Sequence, residues 1–170
     1  MRGERRFRLI DEKFRADPAH YVLQSLLAFV ATAAIVLATS HALGGGIVPG
    51  VVGASAFIVF AFPKHKTATP RSLVGGHLLC LGIGALCAVP LALGWIPRTA
   101  ISEGLLGAAA ASLALFGMVI TDSEHPPAAG NAVAFVVIGF GHRAVLFTVG
   151  TVVLLSLVRC ALRNWLRELT

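Results

Sequence analysis

Five long runs of this chain hold no Asp, Glu, Lys or Arg: residues 18–63, 72–97, 104–121, 125–142 and 144–158. A soluble domain carries about a quarter of its residues as charges; here the share is 13%, against 56% hydrophobic. A water-soluble globule of this length has no core large enough to hide five such runs. Stretches of about 20 apolar residues are what a helix needs to cross a hydrocarbon core. The chain therefore reads as an all-α, polytopic transmembrane helix bundle forming one domain, with no length left for a soluble catalytic domain.

The first run is 46 residues, about 69 Å as one helix, and must turn back on itself. Gly44-Gly45-Gly46 and Pro49-Gly50 mark the break. The expected spans are then 21–43, 47–62, 72–93, 104–121, 126–140 and 144–162, about six membrane segments. Segments 47–62 and 126–140 are short enough to be re-entrant. Residues 1–20 form a basic segment in which Phe7, Ile10 and Phe14 share helical spacing, as in a helix lying on a membrane surface. Residues 21–162 form the transmembrane domain and 163–170 a tail.

Placing both termini inside puts 12 of the 14 Lys and Arg on the cytoplasmic side, with Arg98 and Arg143 alone outside. The positive-inside bias favours that orientation, in an integral membrane protein of a bacterial inner membrane. The same placement explains the basic balance without nucleic acid. Cys80, Cys87 and Cys160 form no C-x-x-C and no disulfide framework, and read as packing residues. Small residues such as Gly107 and Ala111 at i and i+4 allow close helix packing, and a chain this small is expected to form a homo-oligomer.

Two segments echo one another. Ser55 precedes Pro70 by 15 residues, with Gly75-Gly76 beyond; Ser112 precedes Pro127 by 15 residues, with Gly130 beyond. Each is an apolar span, a polar turn and a proline-started helix, an internal helical-hairpin repeat of the kind many transporters show. Proline suits the first helical position, and a helix start with unpaired N–H groups favours an anion. The candidate binding residues are therefore Arg71, Gly75, Gly76 and His77 at one start, with His125, Pro126, Pro127 and Asn131 at the other. Arg71 would act as an electrostatic lure and the histidines as donors. An ionisable side chain inside an apolar helix, as His77 is, is costly and marks a functional candidate. Asp122 and Glu124 suit proton coupling better than anion contact. Neither a metal nor a cofactor is expected.

The run Gly53-Ala54-Ser55-Ala56, then Phe60-Ala61-Phe62-Pro63, Pro70-Arg71-Ser72-Leu73-Val74-Gly75-Gly76-His77 and Glu124-His125-Pro126-Pro127-Ala128 resembles the HPP family of integral membrane proteins. The resemblance covers about residues 21–162. It implies a small membrane transporter, since chloroplast and cyanobacterial relatives are associated with nitrite uptake. The family usually places a glycine earlier after the two prolines; here Ala128-Ala129 precede Gly130. Some relatives append a regulatory CBS pair, which this sequence lacks, so nucleotide regulation in cis is not expected.

The leading expectation is a non-enzymatic transporter or channel for a small monovalent anion such as nitrite. Two other classes compete with it. One is a structural or regulatory membrane subunit without substrate; the other is a membrane-embedded acid/base or metal enzyme built on Asp122, Glu124 and His125. The topology has its own test. In a cysteine-free background, Lys64→Cys should react with an impermeant thiol reagent from the cytoplasmic face only, and Arg98→Cys from the opposite face only. Labelling of both from one face would refute the six-segment arrangement.

Overall fold

The computed structural model describes residues 12–43 and 49–169, and these are helical with no strand among them. A short α1 (Glu12–Ala16) leads into α2 (Pro18–Leu43), α3 (Pro49–Ala61), α4 (Gly76–Ala92), α5 (Ala100–Ile120), α6 (Pro126–Ile138) and α7 (His142–Leu162). The six larger helices fall on the six expected segments. The Gly44-Gly45-Gly46 break, and Phe7 and Ile10 of the amphipathic reading, lie outside the described residues.

Among the described residues, four helices are long and apolar enough to cross a membrane: Pro18–His41, Arg71–Ala92, Ala100–Ile120 and His142–Leu162. Helices α3 and α6 have 13 residues each, about 20 Å of rise, short of a hydrocarbon core about 30 Å thick. They compensate by pairing. Gly130 of α6 lies against Val51 of α3, and the residue that starts α6, His125, reaches Ser55 of α3. Their N-terminal halves run alongside each other in opposite directions, so the pair covers more depth than either helix alone.

Local chemistry sets the helix ends. Thr99 and Ser102 form a reciprocal capping box that starts α5. Pro126 and Pro127 occupy the first two positions of α6, where a missing N–H costs nothing. Between α5 and α6, Asp122 takes a positive φ of 55°, a conformation that Asp tolerates better than most residues. The far end of α6 is capped by Arg98, which donates to the carbonyls of Val136 and Val137 while pairing with Glu103 at 2.7 Å. Arg159 of α7 donates to the Pro63 carbonyl just beyond α3.

Two larger packed regions and a smaller one, Leu81, Phe135 and Ala144, make up the bundle among the described residues. Ile35, Ala56, Val59, Phe60, Leu73, Val152, Leu155 and Leu166 tie α2, α3 and α7 together. Cys80, Leu91, Ala110, Ala114, Met118, Ala128, Ala132 and Val136 join α4, α5 and α6. The second set is rich in alanine because the helices lie very close. Large apolar side chains such as Phe29, Leu37, Ile101, Leu105 and Phe116 point outward, the arrangement a lipid solvent requires. Buried Gln24 secures the chain's last turn: its amide donates to the Arg167 carbonyl and accepts the Arg167 N–H.

The closest crossing is at Gly84. A Cβ there would stand 2.8 Å from the backbone of Ala132, so α4 and α6 would have to separate. Gly82, two residues earlier, has nothing within 4 Å. Gly84→Ala should cost about 1–3 kcal/mol and lower the thermal midpoint in detergent. Gly82→Ala should leave it unchanged or raise it, by up to about 1 kcal/mol, through helix propensity.

Candidate functional site

The approach to α4 is irregular. Residues Arg71–Gly75 form a π-helical turn that runs directly into α4, and such widened turns occur mostly as single insertions at functional positions. Here the Leu73 carbonyl accepts a hydrogen bond from Nδ1 of His77 at 2.7 Å. That bond fixes the ring with its other nitrogen, Nε2, directed into the bundle. Gly76 brings this turn against its counterpart: a Cβ would meet the Ser123 carbonyl at 2.8 Å and the His125 Cβ at 3.1 Å. Among the two glycines singled out by sequence, Gly76 thus serves close packing, while Gly75 has only the Ser123 Cβ nearby, at 3.5 Å.

His125 is fully buried and uses both ring nitrogens. Nδ1 donates to the Thr67 carbonyl at 2.8 Å, which leaves Nε2 to accept the Ser55 hydroxyl at 3.0 Å. One side chain therefore clamps the turn before α4, the middle of α3 and the start of α6. Its ring lies 5.0 Å from that of His77. The two histidines, 48 positions apart in the chain, are neighbours.

Beyond them lies a small enclosed cavity between α3, α4, α6 and α7. Val51, Val52, Ser55, His77, Asn131, Phe147, Thr148, Thr151 and Val152 line it. It offers about 10 Å³ for the centre of a water-sized molecule, about one water site. Three buried polar atoms have no hydrogen-bond partner here: His77 Nε2, Asn131 Nδ2 and Thr151 Oγ1. Their residues are 1%, 2% and 1% exposed respectively. An unpaired buried polar atom costs about 1–3 kcal/mol, and all three belong to residues that line this one cavity.

The remaining expected residues lie elsewhere. Arg71 is exposed, donates to the Thr121 carbonyl at 2.9 Å and stands 3.6 Å from Asp122. Lys66 is paired with Asp122 and, at 2.9 Å, with Glu124. These four charges form a surface cluster that ties the two turns together, outside the cavity. Hydrogen bonds from Lys66 hold the carboxyls of Asp122 and Glu124 below their ordinary values, and those carboxylates raise Lys66. Their contribution is thus present above the ordinary carboxylate range and is lost as pH falls. At these exposed positions solvent screening keeps it small. Pro126 and Pro127 begin α6 without reaching the cavity wall. No three His, Cys, Asp or Glu side chains converge among the described residues, and the rings of His125 turn inward, away from Asp122 and Glu124.

Ser55, Thr148 and Thr151 are the polar lining residues that the sequence reading did not place at the site. Their signal was available in part: Thr148 and Thr151 are hydroxyls three apart on one face of an apolar helix, where polar side chains serve as interhelical contacts. The echo between Ser55 and Ser112 breaks down here, since Ser112 is exposed and bonds only the Ala108 carbonyl of its own helix. Cys80 is buried against the Met118 sulfur, as a packing residue would be.

Taken together, the fold and its polar interior are those of a polytopic helical membrane protein. The sequence matches the HPP transmembrane region over residues 13–168, and the chain belongs to the HPP family of membrane proteins. It is similar to two transmembrane proteins of Dictyostelium discoideum. One is 37% identical over 83 residues, 49% of this chain and 25% of the relative; the other is 36% identical over 83 residues, 49% of this chain and 27% of the relative. The chain spans about a quarter of the length of these relatives. No solved structure matches it.

The clamp has a measurable worth. Ser55→Ala leaves His125 Nε2 buried without a partner and should destabilise the protein by about 1–3 kcal/mol. Ser112→Ala, at the echoed but exposed position, should stay within about 0.5 kcal/mol. Thermal unfolding in detergent distinguishes the two, and equal losses would remove the clamp from its central place.

Proposed function

We propose that this protein carries a small monovalent anion such as nitrite across the membrane, and that the anion passes through the cavity bounded by His77, Asn131 and Thr151. The observation that carries this reading is the convergence of three unpartnered buried polar atoms there. In hydrocarbon such atoms are retained at a cost, and a transported guest gives them a purpose. Asn131 Nδ2 and the Thr151 hydroxyl can donate to anion oxygens, and the Ser55 hydroxyl stands at the wall, already committed to His125.

The cavity is enclosed and water-sized, so a three-atom ion is admitted only when a wall moves. The Phe147 ring and the first turn of α3 at Val51 and Val52 supply that wall. The surface cluster of Lys66, Arg71, Asp122 and Glu124 is balanced in charge. Attraction of anions to this end, taken as cytoplasmic, therefore comes from the other basic side chains around it, such as Lys64, Arg159 and Arg163.

Vesicles reconstituted with the full chain test the reading. Nitrite flux should exceed that of protein-free vesicles. His77→Ala should lower it by about tenfold, equivalent to about 1.4 kcal/mol, with monodisperse protein retained. His142→Ala, exposed at the start of α7, should leave it within about twofold, well under that 1.4 kcal/mol. Equal effects of the two substitutions would take His77 out of the path.

A further inference from the structure

The hydrogen bonds around His77 specify which proton it carries. Its Nδ1 faces the Leu73 carbonyl, which can only accept, so Nδ1 bears the hydrogen and the neutral ring presents a lone pair from Nε2 to the cavity. A lone pair repels an anion. The other groups facing His77 do not relieve this. From α3 come Val52 and Ser55, and from α7 Phe147, Thr148 and Thr151; α6 supplies Asn131 and, from its start, His125. His125 has both nitrogens engaged, and its Nε2 is itself an acceptor. Among the described residues no Asp, Glu, Lys or Arg lines the cavity, and Asp122 and Glu124 are held at the surface by Lys66.

We propose that the cavity takes its anion together with one proton, and that Nε2 of His77 is where the two meet. The inference rests on the reading of the cavity as the anion's path and deepens it. The proton arrives from water either on the solute or on the ring. In the first case the solute's O–H donates to the Nε2 lone pair and Asn131 donates to the solute's other oxygen. In the second, Nε2 gains the proton and its new N–H donates to the anion. Either way the occupied site carries no net charge, which avoids burying an unpaired ion in a medium that cannot solvate it. When the solute leaves, the proton leaves with it and His77 returns to its neutral form. Each cycle moves one anion, one proton and no charge. The coupling group is thus His77, in the bundle, rather than Asp122 or Glu124 at its surface.

The test uses vesicles containing the full chain, a trapped pH-sensitive dye and a potassium gradient with valinomycin. Nitrite and formate are the probes, at neutral pH, with the leak of protein-free vesicles subtracted. Coupled passage predicts interior acidification in step with anion uptake. It also predicts a flux unchanged within about twofold under an imposed potential of about 59 mV, which is tenfold in equilibrium constant for one moving charge. Voltage-driven flux without acidification would overturn the coupling while leaving the anion carrier intact. No protein-dependent flux for either probe would overturn both. His77→Leu, which can neither hold a proton nor accept the solute's O–H, should abolish the protein-dependent acidification; coupled flux persisting at the wild-type ratio in that variant would refute the role of Nε2. Asn131→Leu keeps His77 and should lower flux severalfold at an unchanged proton-to-anion ratio; a changed ratio would count against the assignment. Should His77→Leu fail to fold, the voltage response of the unaltered protein and the Asn131→Leu ratio decide the matter.

Discussion

A bilayer core offers no water to a polar group, so each buried N–H, carbonyl or side-chain nitrogen must find its partner inside the protein. In this bundle that demand concentrates on His125. Its two ring nitrogens are spent on the Thr67 carbonyl and the Ser55 hydroxyl, and through them the turn before α4, the body of α3 and the start of α6 are held in one place. The short helices depend on it most. Neither α3 nor α6 is long enough to be anchored at both membrane surfaces, and their mutual position comes from this clamp and from the contact of Gly130 with Val51.

His77 answers the same demand differently. One nitrogen is satisfied by a carbonyl of its own helix, exposed by the widened turn at Arg71–Gly75, and the other is not satisfied by the protein. The contrast between neighbouring histidines separates structure from function: the ring with two partners holds helices together, and the ring with one faces a cavity. Asn131 and Thr151 share the second condition. A protein that satisfies its polar groups so thoroughly at Gln24, Arg98 and Arg159 leaves three unmet around one cavity, the observation on which the proposed anion path rests.

The charged residues show the opposite economy. Arg71, Lys66, Asp122 and Glu124 remain at the surface because water there meets most of their needs, and their pairing joins the two proline-containing turns. The two helix starts do lie side by side, as the internal echo implied, but the cavity is deeper, beside His77 and Asn131. The echo itself holds at the level of turns and prolines and lapses at Ser55 and Ser112, because one serine faces the clamp and the other faces outward.

The sequence by itself determined the class of fold. Uncharged runs, glycine and proline breaks and basic connectors define helix number and boundaries, because lipid tolerates so few alternatives for a polypeptide backbone; the family resemblance rests on motif residues such as Glu124-His125-Pro126-Pro127. His77 was legible as a candidate because an ionisable side chain in an apolar helix is costly, and His125 and Asn131 because they lie at a proline-started helix beginning. Tertiary structure alone decided which of them meet. It brought together residues from α3, α4, α6 and α7 that are distant in the chain, added Thr148 and Thr151, and set Arg71, Asp122 and Glu124 apart. Helical periodicity gives each side chain a direction around its own axis only. Which nitrogen of a buried histidine is left without a partner depends on the rotation and depth of every neighbouring helix, and these are fixed by packing such as that of Gly84 on Ala132.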